Sequence, residues 1–570
     1  MAEINVAQAI GKLMKAHGAS HVFTFTGAPQ DPLIHAHNHE GIKVVLGRSE
    51  RSALAMGDAF ARLTGKPTFG IVQYGPGATY LPASIIDAYW ANSPLIAISG
   101  TTTTATRHRL EYQELDQAPM FPPMTRWAGD LPDPSRIADV LRTAVRAAVS
   151  GRPGPTYLGI PADWFTRPTG LDEAAFYADP NCLTVPASRS APAPGEVERA
   201  VAALSSARRP VIFAGGGVLL SGGWAELTAL AEATGIPVVT TMPGKGAIAD
   251  THPLAVGTAG RYSRRVANET LAACDLCVAV GTRLGSMETD VFKFPKPGTR
   301  IVHIDADPML LGRTYVEEIS IVADAKVALS MLLDAVVAGE LADATTRWAD
   351  WRGKVQANVV AWREQLGEMA GRGVTDGRIS PYSVLAALND YIGGDDVVVA
   401  DTGYMAVWAA TLLDQKEAGR NTLRAAGSLG WAFPAAFGAK LAVGAGRRVF
   451  GLTGDGGIGY HLADLESALR LGTPVIQMVM NNGALAFEYH VQKHVHGEIC
   501  PALTDFVDID YAAVARAFGC HGERVTDADE LIPALRRAEE SDRPAVLDLV
   551  VSREPIPPVT RYEAVVQREV

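Results

Sequence analysis

Thr453-Gly454-Asp455-Gly456-Gly457 follows the apolar run Val449-Phe450-Gly451-Leu452, and Asn481-Asn482-Gly483 follows a second apolar run, 474–480. A helical pattern, 462–471, lies between them. Asn482 stands 27 residues after Asp455, the span of one strand–helix–strand unit. Such a unit lays two parallel strands side by side. Both residues then reach the carboxyl edge of one sheet, where open α/β sheets take their ligands. A lone Gly-Asp-Gly is a turn, and so is a lone Asn-Asn-Gly. At two strand ends one unit apart, they are hard to read as turns. A carboxylate and an amide oxygen are hard donors that suit Mg²⁺, which completes its shell from phosphates and water. The small glycines let backbone N–H groups approach a phosphate closely. The stretch reads as a diphosphate site bridged by Mg²⁺. The dinucleotide glycine fingerprint needs a different spacing, and no Gly-x-x-x-x-Gly-Lys-Ser/Thr loop occurs.

The same alternation of short β-rich runs and helical patterns fills the rest of the chain. Runs at 22–26, 44–46, 69–72 and 95–99 form one block, and those at 211–214, 238–241, 276–280 and 301–304 a second. A third block holds 397–400, 449–453, 475–480 and 545–550. Repeated βα units imply parallel sheets covered by helices. Residues 166–195 lack periodicity and are rich in Pro, Asp and Ala. Residues 338–380 are polar and helical, with Trp348, Trp351 and Trp362 as packing anchors ahead of Gly371 and Gly373. The fold class expected is α/β, with three Rossmann-like domains at 1–168, 190–338 and 375–555 and a tail at 556–570.

Composition narrows the function classes. The 570 residues carry 51 Lys+Arg against 62 Asp+Glu, a net charge of −11, with no long basic run. That disfavours nucleic acid and anionic membranes as partners. No apolar run approaches the roughly 20 residues of a membrane helix. Near the start, Val6, Ile10, Leu13 and Met14 trace an amphipathic helix rather than a signal peptide. Five cysteines make no disulfide framework, so a reducing cytoplasm is the expected compartment. Cys274 and Cys277 have redox spacing but run into an apolar strand, which argues for burial.

Gly454-Asp455-Gly456 with Asn481-Asn482 resembles the thiamin-diphosphate motif of the pyruvate decarboxylase / acetohydroxyacid synthase / benzoylformate decarboxylase superfamily. Ala214-Gly215-Gly216-Gly217, Met242-Pro243-Gly244-Lys245-Gly246, Gly281-Thr282-Arg283 and His303-Ile304-Asp305 are similar to the central domain of acetohydroxyacid synthases. Gly75-Pro76-Gly77-Ala78-Thr79 is similar to their first domain. The resemblance implies a pyrimidine-binding, a central and a diphosphate-binding domain, in that order. It implies Mg²⁺ held by Asp455, Asn482 and the Ala484 carbonyl, with Gly454, Gly456 and Gly457 around the diphosphate. It also implies a site built between two subunits, hence a homodimer at least and a homotetramer as the fuller assembly.

Thiamin diphosphate works as a carbanion once its own aminopyrimidine removes a proton. That needs a carboxylic group at the far pyrimidine nitrogen, buried so that its pKa rises. Glu50 follows the run 44–46 and opens an Ala-rich helical pattern, as the family's catalytic Glu does. Read alone, Glu50 is also a first-turn residue favoured by the helix dipole. The segment Gly427-Ser428-Leu429-Gly430-Trp431 resembles the apolar wedge that bends the cofactor, with Leu429 at the wedge position. Gly403, Tyr404 and Met405 match a loop that touches the diphosphate, where acetohydroxyacid synthases have Gln and His. Tyr74, Gln113 and Glu488 fall at catalytic positions, and Ala28, Gln30 and His490 at the substrate pocket. The Trp with which acetohydroxyacid synthases accept a second 2-oxo acid falls at Val491, which argues against a biosynthetic one. Glu488, His490, His494 and His496 read as a proton relay or as a solvated helix face. Zn²⁺ would need a third ligand beside His490 and His494, and none is evident.

The function implied is C–C bond cleavage or formation next to a carbonyl. Its leading form is decarboxylation of a small-molecule 2-oxo acid, ending in protonation or carboligation. The rivals are a diketone hydrolase, a 2-hydroxyacyl-CoA lyase and an inactive regulatory paralogue. Intact Glu50, Asp455 and Asn482 argue against the last. In the central block, Gly215–Gly217, Gly260, Arg261 and 281–283 fit a nucleotide, with FAD, ADP or no ligand all open.

Overall fold

The computed structural model describes residues 3–27, 29–341, 343–372 and 374–560. Ala28, Gly373 and the part of the tail beyond 560 lie outside the described residues. The chain folds into three sheets of six strands, every pairing parallel. The first holds β1 (His21–Thr24), β2 (Lys43–Leu46), β3 (Thr68–Val72), β4 (Leu95–Thr101), β5 (Trp127–Asp130) and β6 (Thr156–Pro161). The second holds β7 (Pro210–Ala214), β8 (Val238–Thr240), β9 (Ala255–Thr258), β10 (Leu276–Val280), β11 (Arg300–Asp305) and β12 (Ile319–Val322). The third holds β13 (Val397–Ala400), β14 (Thr422–Arg424), β15 (Val449–Gly454), β16 (Ile476–Asn481), β17 (His521–Val525) and β18 (Ala545–Val550).

The inner strands β3, β4, β10 and β16 are buried along their whole length. Their continuous apolar runs are what a parallel sheet needs when helices cover both faces. The strand orders are β2-β1-β3-β4-β6-β5, β12-β11-β10-β7-β8-β9 and β14-β13-β15-β16-β18-β17. The middle sheet therefore has the doubly wound dinucleotide order, while the outer two share another.

The first and third domains meet through two helices, Glu50–Thr64 and Ala432–Val443. Ser49 caps the first helix by accepting from the Ser52 backbone N–H, and Gly65 ends it in the left-handed conformation. The approach is close because Gly438 lies on the Met56 backbone, where a side chain would collide. Phe23, Met56 and Ala59 of the first domain share one core with Val397, Trp431 and Phe437 of the third. At its rim, Trp431 Nε1 donates to Asp58 at 3.1 Å, and Arg62 donates to the Arg424 carbonyl at 2.7 Å.

The helix Ala349–Ala370 is tied to the second domain by its tryptophans. Trp348 and Trp351 are buried and donate from Nε1 to the Ala207 and Pro210 carbonyls, each at 3.0 Å. Trp362 is buried against the same domain. Beyond β18 the chain crosses back over the second domain, where the Thr560 hydroxyl meets Ser263 and Asn268. Cys274 and Cys277 are both buried, which pushes their thiols up and away from thiolate chemistry. No helix is long and apolar enough to cross a membrane among the described residues.

Candidate active site

β15 and β16 are neighbours, with Gly454 paired to Met480, so Asp455 and Asn482 emerge at the same sheet edge. Asp455 Oδ1 accepts from the Gly456 N–H at 2.9 Å; Oδ2 accepts from Gly483 at 2.7 Å and Ala484 at 3.1 Å. Asn482 Oδ1 accepts from the same Ala484 N–H at 3.0 Å. Among the described residues no Lys or Arg pairs with Asp455, which is buried. Burial lifts its carboxyl to about 6, against the backbone N–H groups that pull it down. A buried carboxylate without a counter-cation fits a bound metal. The oxygens of Asp455 and Asn482 are the hard donors Mg²⁺ takes.

A second buried carboxylate braces this edge. Asp401, just beyond β13, accepts from the Gly430 N–H at 2.9 Å and from the Thr453 hydroxyl at 3.2 Å. It thereby ties the Gly427–Leu429 segment to the strand that carries Asp455. A side chain at Gly457 would strike Asp401 and Thr453, so only glycine fits there. Burial lifts Asp401 to about 6. Gly403 has φ 67° and opens the helix Tyr404–Leu412. Tyr404 and Met405 turn into the domain core, and the Tyr404 hydroxyl meets His490 Nδ1 at 2.7 Å. Leu429 is half-buried, and its carbonyl accepts from Arg51 at 2.6 Å.

Glu50 is buried and starts its helix beside the end of β3. Its carboxyl abuts Gly77, where a Cβ would sit 2.8 Å from Oε1. Burial raises its pKa, as a proton-holding carboxyl requires. Gln73 lies against the same Gly77 and against Gly27, and its Nε2 donates to Gln113 Oε1 at 2.8 Å. Gln113 holds φ 62° with its carbonyl packed on Gly75. Tyr74 leaves the strand on the other side and packs on Gly100, while Gln30 is exposed at the head of the helix Asp31–Glu40. Sequence reasoning singled out Tyr74 and passed over Gln73. Strand alternation was the available signal, since neighbours past a strand end face opposite ways. Asp401 is absent from the residues expected at this edge, and its place just beyond the apolar strand β13 was the available signal.

Glu488, on the short helix Ala486–Val491, is exposed. His490, on the same helix, is buried and pushed down to about 4 by burial and by the nearby His494 and Lys493 charges. It is neutral at pH 7 and bonded to Tyr404. His494 and His496 are exposed on the following turn.

The second domain borders a cavity of about 520 Å³ reached by all three domains. One end is formed by Gly216, Gly217, Arg283 and Asp305, the other by Ala400, Ala406 and Arg424 of the third domain. Gly217 lies so close to the Gly281 backbone that a Cβ would sit 2.6 Å from its Cα, which keeps the β7 turn open towards the cavity. Asp305 ends β11, buried, and its pKa is raised by that burial.

Three family models match the chain. They are the N-terminal TPP binding domain of thiamine pyrophosphate enzymes over residues 4–120, the central domain over 197–332, and the C-terminal TPP binding domain over 401–549. A probable acetolactate synthase large subunit from Methanocaldococcus jannaschii is 30% identical, over 98% of this chain and 95% of its own length. An acetolactate synthase large subunit from Corynebacterium glutamicum is 31% identical, over 96% of this chain and 87% of its own. A glyoxylate carboligase from Escherichia coli is 28% identical, over 97% and 94%. Carrying all three domains in order and aligning with such relatives along almost its whole length, the chain belongs to the thiamine pyrophosphate enzymes.

Proposed function

We propose that the protein decarboxylates a small 2-oxo acid and either protonates the remaining acyl unit or joins it to an acceptor carbonyl. Thiamin diphosphate, when bound, would supply the acidic carbon and the electron sink that loss of CO₂ requires. Asp455 and Asn482, with the Ala484 carbonyl, would hold Mg²⁺, and Gly403, Gly427, Gly454, Gly456 and Gly457 with the backbone of Tyr404 and Met405 would border the diphosphate. Glu50 keeps a proton at the pyrimidine end because its carboxyl is buried. Leu429, half-buried, would give the cofactor an apolar support. Gln113 would face the substrate from the first domain and Glu488 from the third, with Tyr74 on the Gly100 side of the crevice and His490 held by Tyr404. The names of the relatives favour carboligation.

The observation that carries the reading is Asp455: a buried carboxylate without a cationic partner, with Asn482 on the adjacent strand end. A panel of 2-oxo acids with Mg²⁺ and thiamin diphosphate, followed by CO₂ release with and without aldehyde or oxo-acid acceptors, tests it. We expect cofactor-dependent CO₂ release from at least one. Release from none, by protein shown to bind the cofactor, rejects decarboxylation and leaves the diketone or acyl-CoA substrates.

We also read the 520 Å³ cavity as a nucleotide site for FAD or ADP. The open glycine turn after β7 and the acidic end of β11, in a sheet of dinucleotide-binding order, support it. The site is read as shared between two copies of the chain, with a pair of dimers as the full assembly. Exposed Leu110 and Tyr112 in the first domain and Leu503 and Val507 in the third support a large contact. Mixing Glu50→Gln with Asp455→Ala subunits should restore activity in hybrids. No recovery despite proven subunit exchange rejects a shared site.

A further inference from the structure

We infer that Gln117 is a positioning residue, whose buried amide fastens the Gly75-Pro76-Gly77 turn after β3 to the end of β4 and thereby sets Glu50 and Gln113 against each other. The inference rests on the roles proposed above for those two residues and adds what holds them in place.

The ladder between β3 and β4 ends at Val72 and Ser99. Beyond it the Gln117 amide stands between the two chains as a peptide group would. Its Oε1 accepts from the Gly75 N–H at 3.0 Å, and its Nε2 donates to the Gly100 carbonyl at 2.7 Å. One of these main-chain groups can only donate and the other only accept, so the amide has a single orientation. Nε2 also lies 2.6 Å from Ser99 Oγ and 2.7 Å from the Tyr157 hydroxyl. Those two hydroxyls are 2.8 Å apart, and Ser99 Oγ donates to the Gly100 carbonyl at 3.0 Å. Gln117, Ser99 and Tyr157 are all buried. The Tyr157 ring stacks on Phe121 with centroids 3.6 Å apart, which fixes the network from behind. Filling the space alone would not require an amide, because an apolar side chain does so without the cost of desolvating one.

The turn that Gln117 holds supports the candidate site from below. Gly75 has φ 57°, and a Cβ there would sit 2.3 Å from the Gln113 carbonyl oxygen. Gln113 therefore presses on Gly75, while Gln117, further along the same segment, holds its N–H. Gly75 opens the short helix Pro76–Tyr80. Within it lies Gly77, where a Cβ would sit 2.7 Å from the Gln73 Cβ and 2.8 Å from Glu50 Oε1. Gly100 in turn carries the Tyr74 ring, 3.1 Å from where a Cβ would stand. Glu50, Gln73, Gln113 and Tyr74 thus lean on Gly75, Gly77 or Gly100, and Gln117 bonds the first and the last of these glycines. Displacing the turn would move the supports of Glu50 and Gln113 together, and misplacement by about 1 Å costs up to about 100-fold in rate.

The test uses full-length protein with Mg²⁺ and thiamin diphosphate, and the variants Gln117→Leu and Gln117→Glu. Gln117→Leu leaves the Gly75 N–H and the Gly100 carbonyl unanswered and should melt lower whatever its role, so the deciding readouts are taken well below that melting temperature. Exchange of the cofactor C2 hydrogen, which reports on Glu50, should slow by about 10- to 100-fold. KM for the 2-oxo acid that the wild type turns over fastest reports on Gln113 and should rise by about fivefold or more. Cofactor affinity, which reports on the third domain, should stay nearly unchanged.

Gln117→Glu is nearly isosteric and decides alone if Gln117→Leu does not fold. Protonated, its new carboxyl accepts from Gly75 and donates to Gly100; ionised, it has no hydrogen to donate. Burial raises such a carboxyl. The groups around it are the buried Tyr157 phenol, the Asp130 carboxyl behind that phenol, exposed Asp116 next in the chain, the Tyr74 phenol beyond Gly100, and Arg107. The two carboxyls oppose its ionisation and Arg107 favours it. At saturating cofactor, C2 exchange in Gln117→Glu relative to wild type should approach the wild-type rate at about pH 5 and fall towards the Gln117→Leu rate by about pH 8. Wild-type exchange and KM in Gln117→Leu overturn the inference. A ratio for Gln117→Glu that does not change with pH, or a loss of cofactor affinity as large as the loss of exchange, does the same. Wild type that exchanges but turns over no 2-oxo acid rejects the decarboxylation reading and leaves the exchange arm to decide. Wild type that binds the cofactor without exchange rejects the role of Glu50, and this inference with it.

Discussion

The first and third domains have sheets of the same strand order, and in both the order reverses between the first and third strands of the domain. In the first domain this crevice lies beyond β1 and β3, among Gly27, Gln73 and Gly77. In the third it lies beyond β13 and β15, between Asp401 and Asp455. The correspondence goes further. After β2 comes Glu50 and its helix; after β14 come Leu429 and the helix Ala432–Val443; and these two helices pack on each other. On the reading proposed above, two copies of one scaffold take opposite duties. The first presents a buried carboxyl, Glu50, beside side-chain amides. The third presents backbone N–H groups and a buried carboxylate, Asp455, with no Lys or Arg partner among the described residues. Sheet order decides where a ligand lies, and a few side chains at the strand ends decide what is held.

The sharpest way to break that division is to remove one carboxyl from each side. Glu50→Gln should lower turnover by about 10²- to 10⁴-fold, the usual worth of a positioned proton carrier, with thiamin diphosphate affinity nearly unchanged. Asp455→Ala should weaken Mg²⁺ and the cofactor together by more than about 100-fold, because a charged ligand is lost. Calorimetric titration and single-turnover assays separate the two. If both variants lose cofactor binding alike, the domains do not divide the work as described. Exchange of the cofactor C2 hydrogen is the cleaner readout for Glu50, since it follows proton movement rather than the whole cycle.

The contact between the corresponding helices gives the next effect. Gly438→Val puts a branched side chain onto the Met56 backbone. Overpacking of this kind costs about 1–3 kcal/mol, read from the denaturant midpoint. An unchanged midpoint would mean that the two domains are not held in this register.

Much of this was legible before any coordinates. The Asp455 to Asn482 spacing placed two oxygens at one sheet edge, because a strand–helix–strand unit has a narrow range of lengths. That Glu50 opens a helix was legible in the Ala-rich pattern that follows the run 44–46. The strand orders were not, since βα alternation is the same for both sheet types. Gln73 was passed over although strand alternation sets it opposite Tyr74, because which side of the strand end holds Glu50 is settled only by the fold.

The pH response separates the two carboxyl environments further. Asp455, buried with no cation beside it among the described residues, rises from 3.8 to about 6 on folding. A raised carboxyl stabilises the cation-free fold below the unfolded value, and that stability is lost as pH rises through about 6. Cation binding needs the ionised form, so its dependence runs the other way. Affinity for Mg²⁺ with thiamin diphosphate should hold above pH 6 and fall about tenfold per unit below it, if one proton is displaced. Titrations from pH 5 to 8 should therefore bend near 6. A flat profile would show that Asp455 does not hold the metal.

The smallest effect tests which side of the first-domain crevice meets the substrate. Gln73 and Tyr74 leave β3 in opposite directions: Gln73 towards Gly77, where Glu50 lies, and Tyr74 towards Gly100. Gln73 also holds Gln113 through a 2.8 Å hydrogen bond, and Gln113 keeps the rare backbone of φ 62°. Losing one neutral hydrogen bond is worth about 1 kcal/mol, or about fivefold in an equilibrium. Gln73→Ala should accordingly raise KM about fivefold, since Gln113 loses its anchor, while kcat stays within about twofold because Glu50 keeps its burial. Tyr74→Phe keeps the ring on Gly100 and removes only the hydroxyl. If the substrate lies on the Gln73 side, Tyr74→Phe leaves KM and kcat as they were. The reverse pattern, with KM moved by Tyr74→Phe and untouched by Gln73→Ala, would put the substrate on the Gly100 side and make Gln73 a support for the cofactor alone.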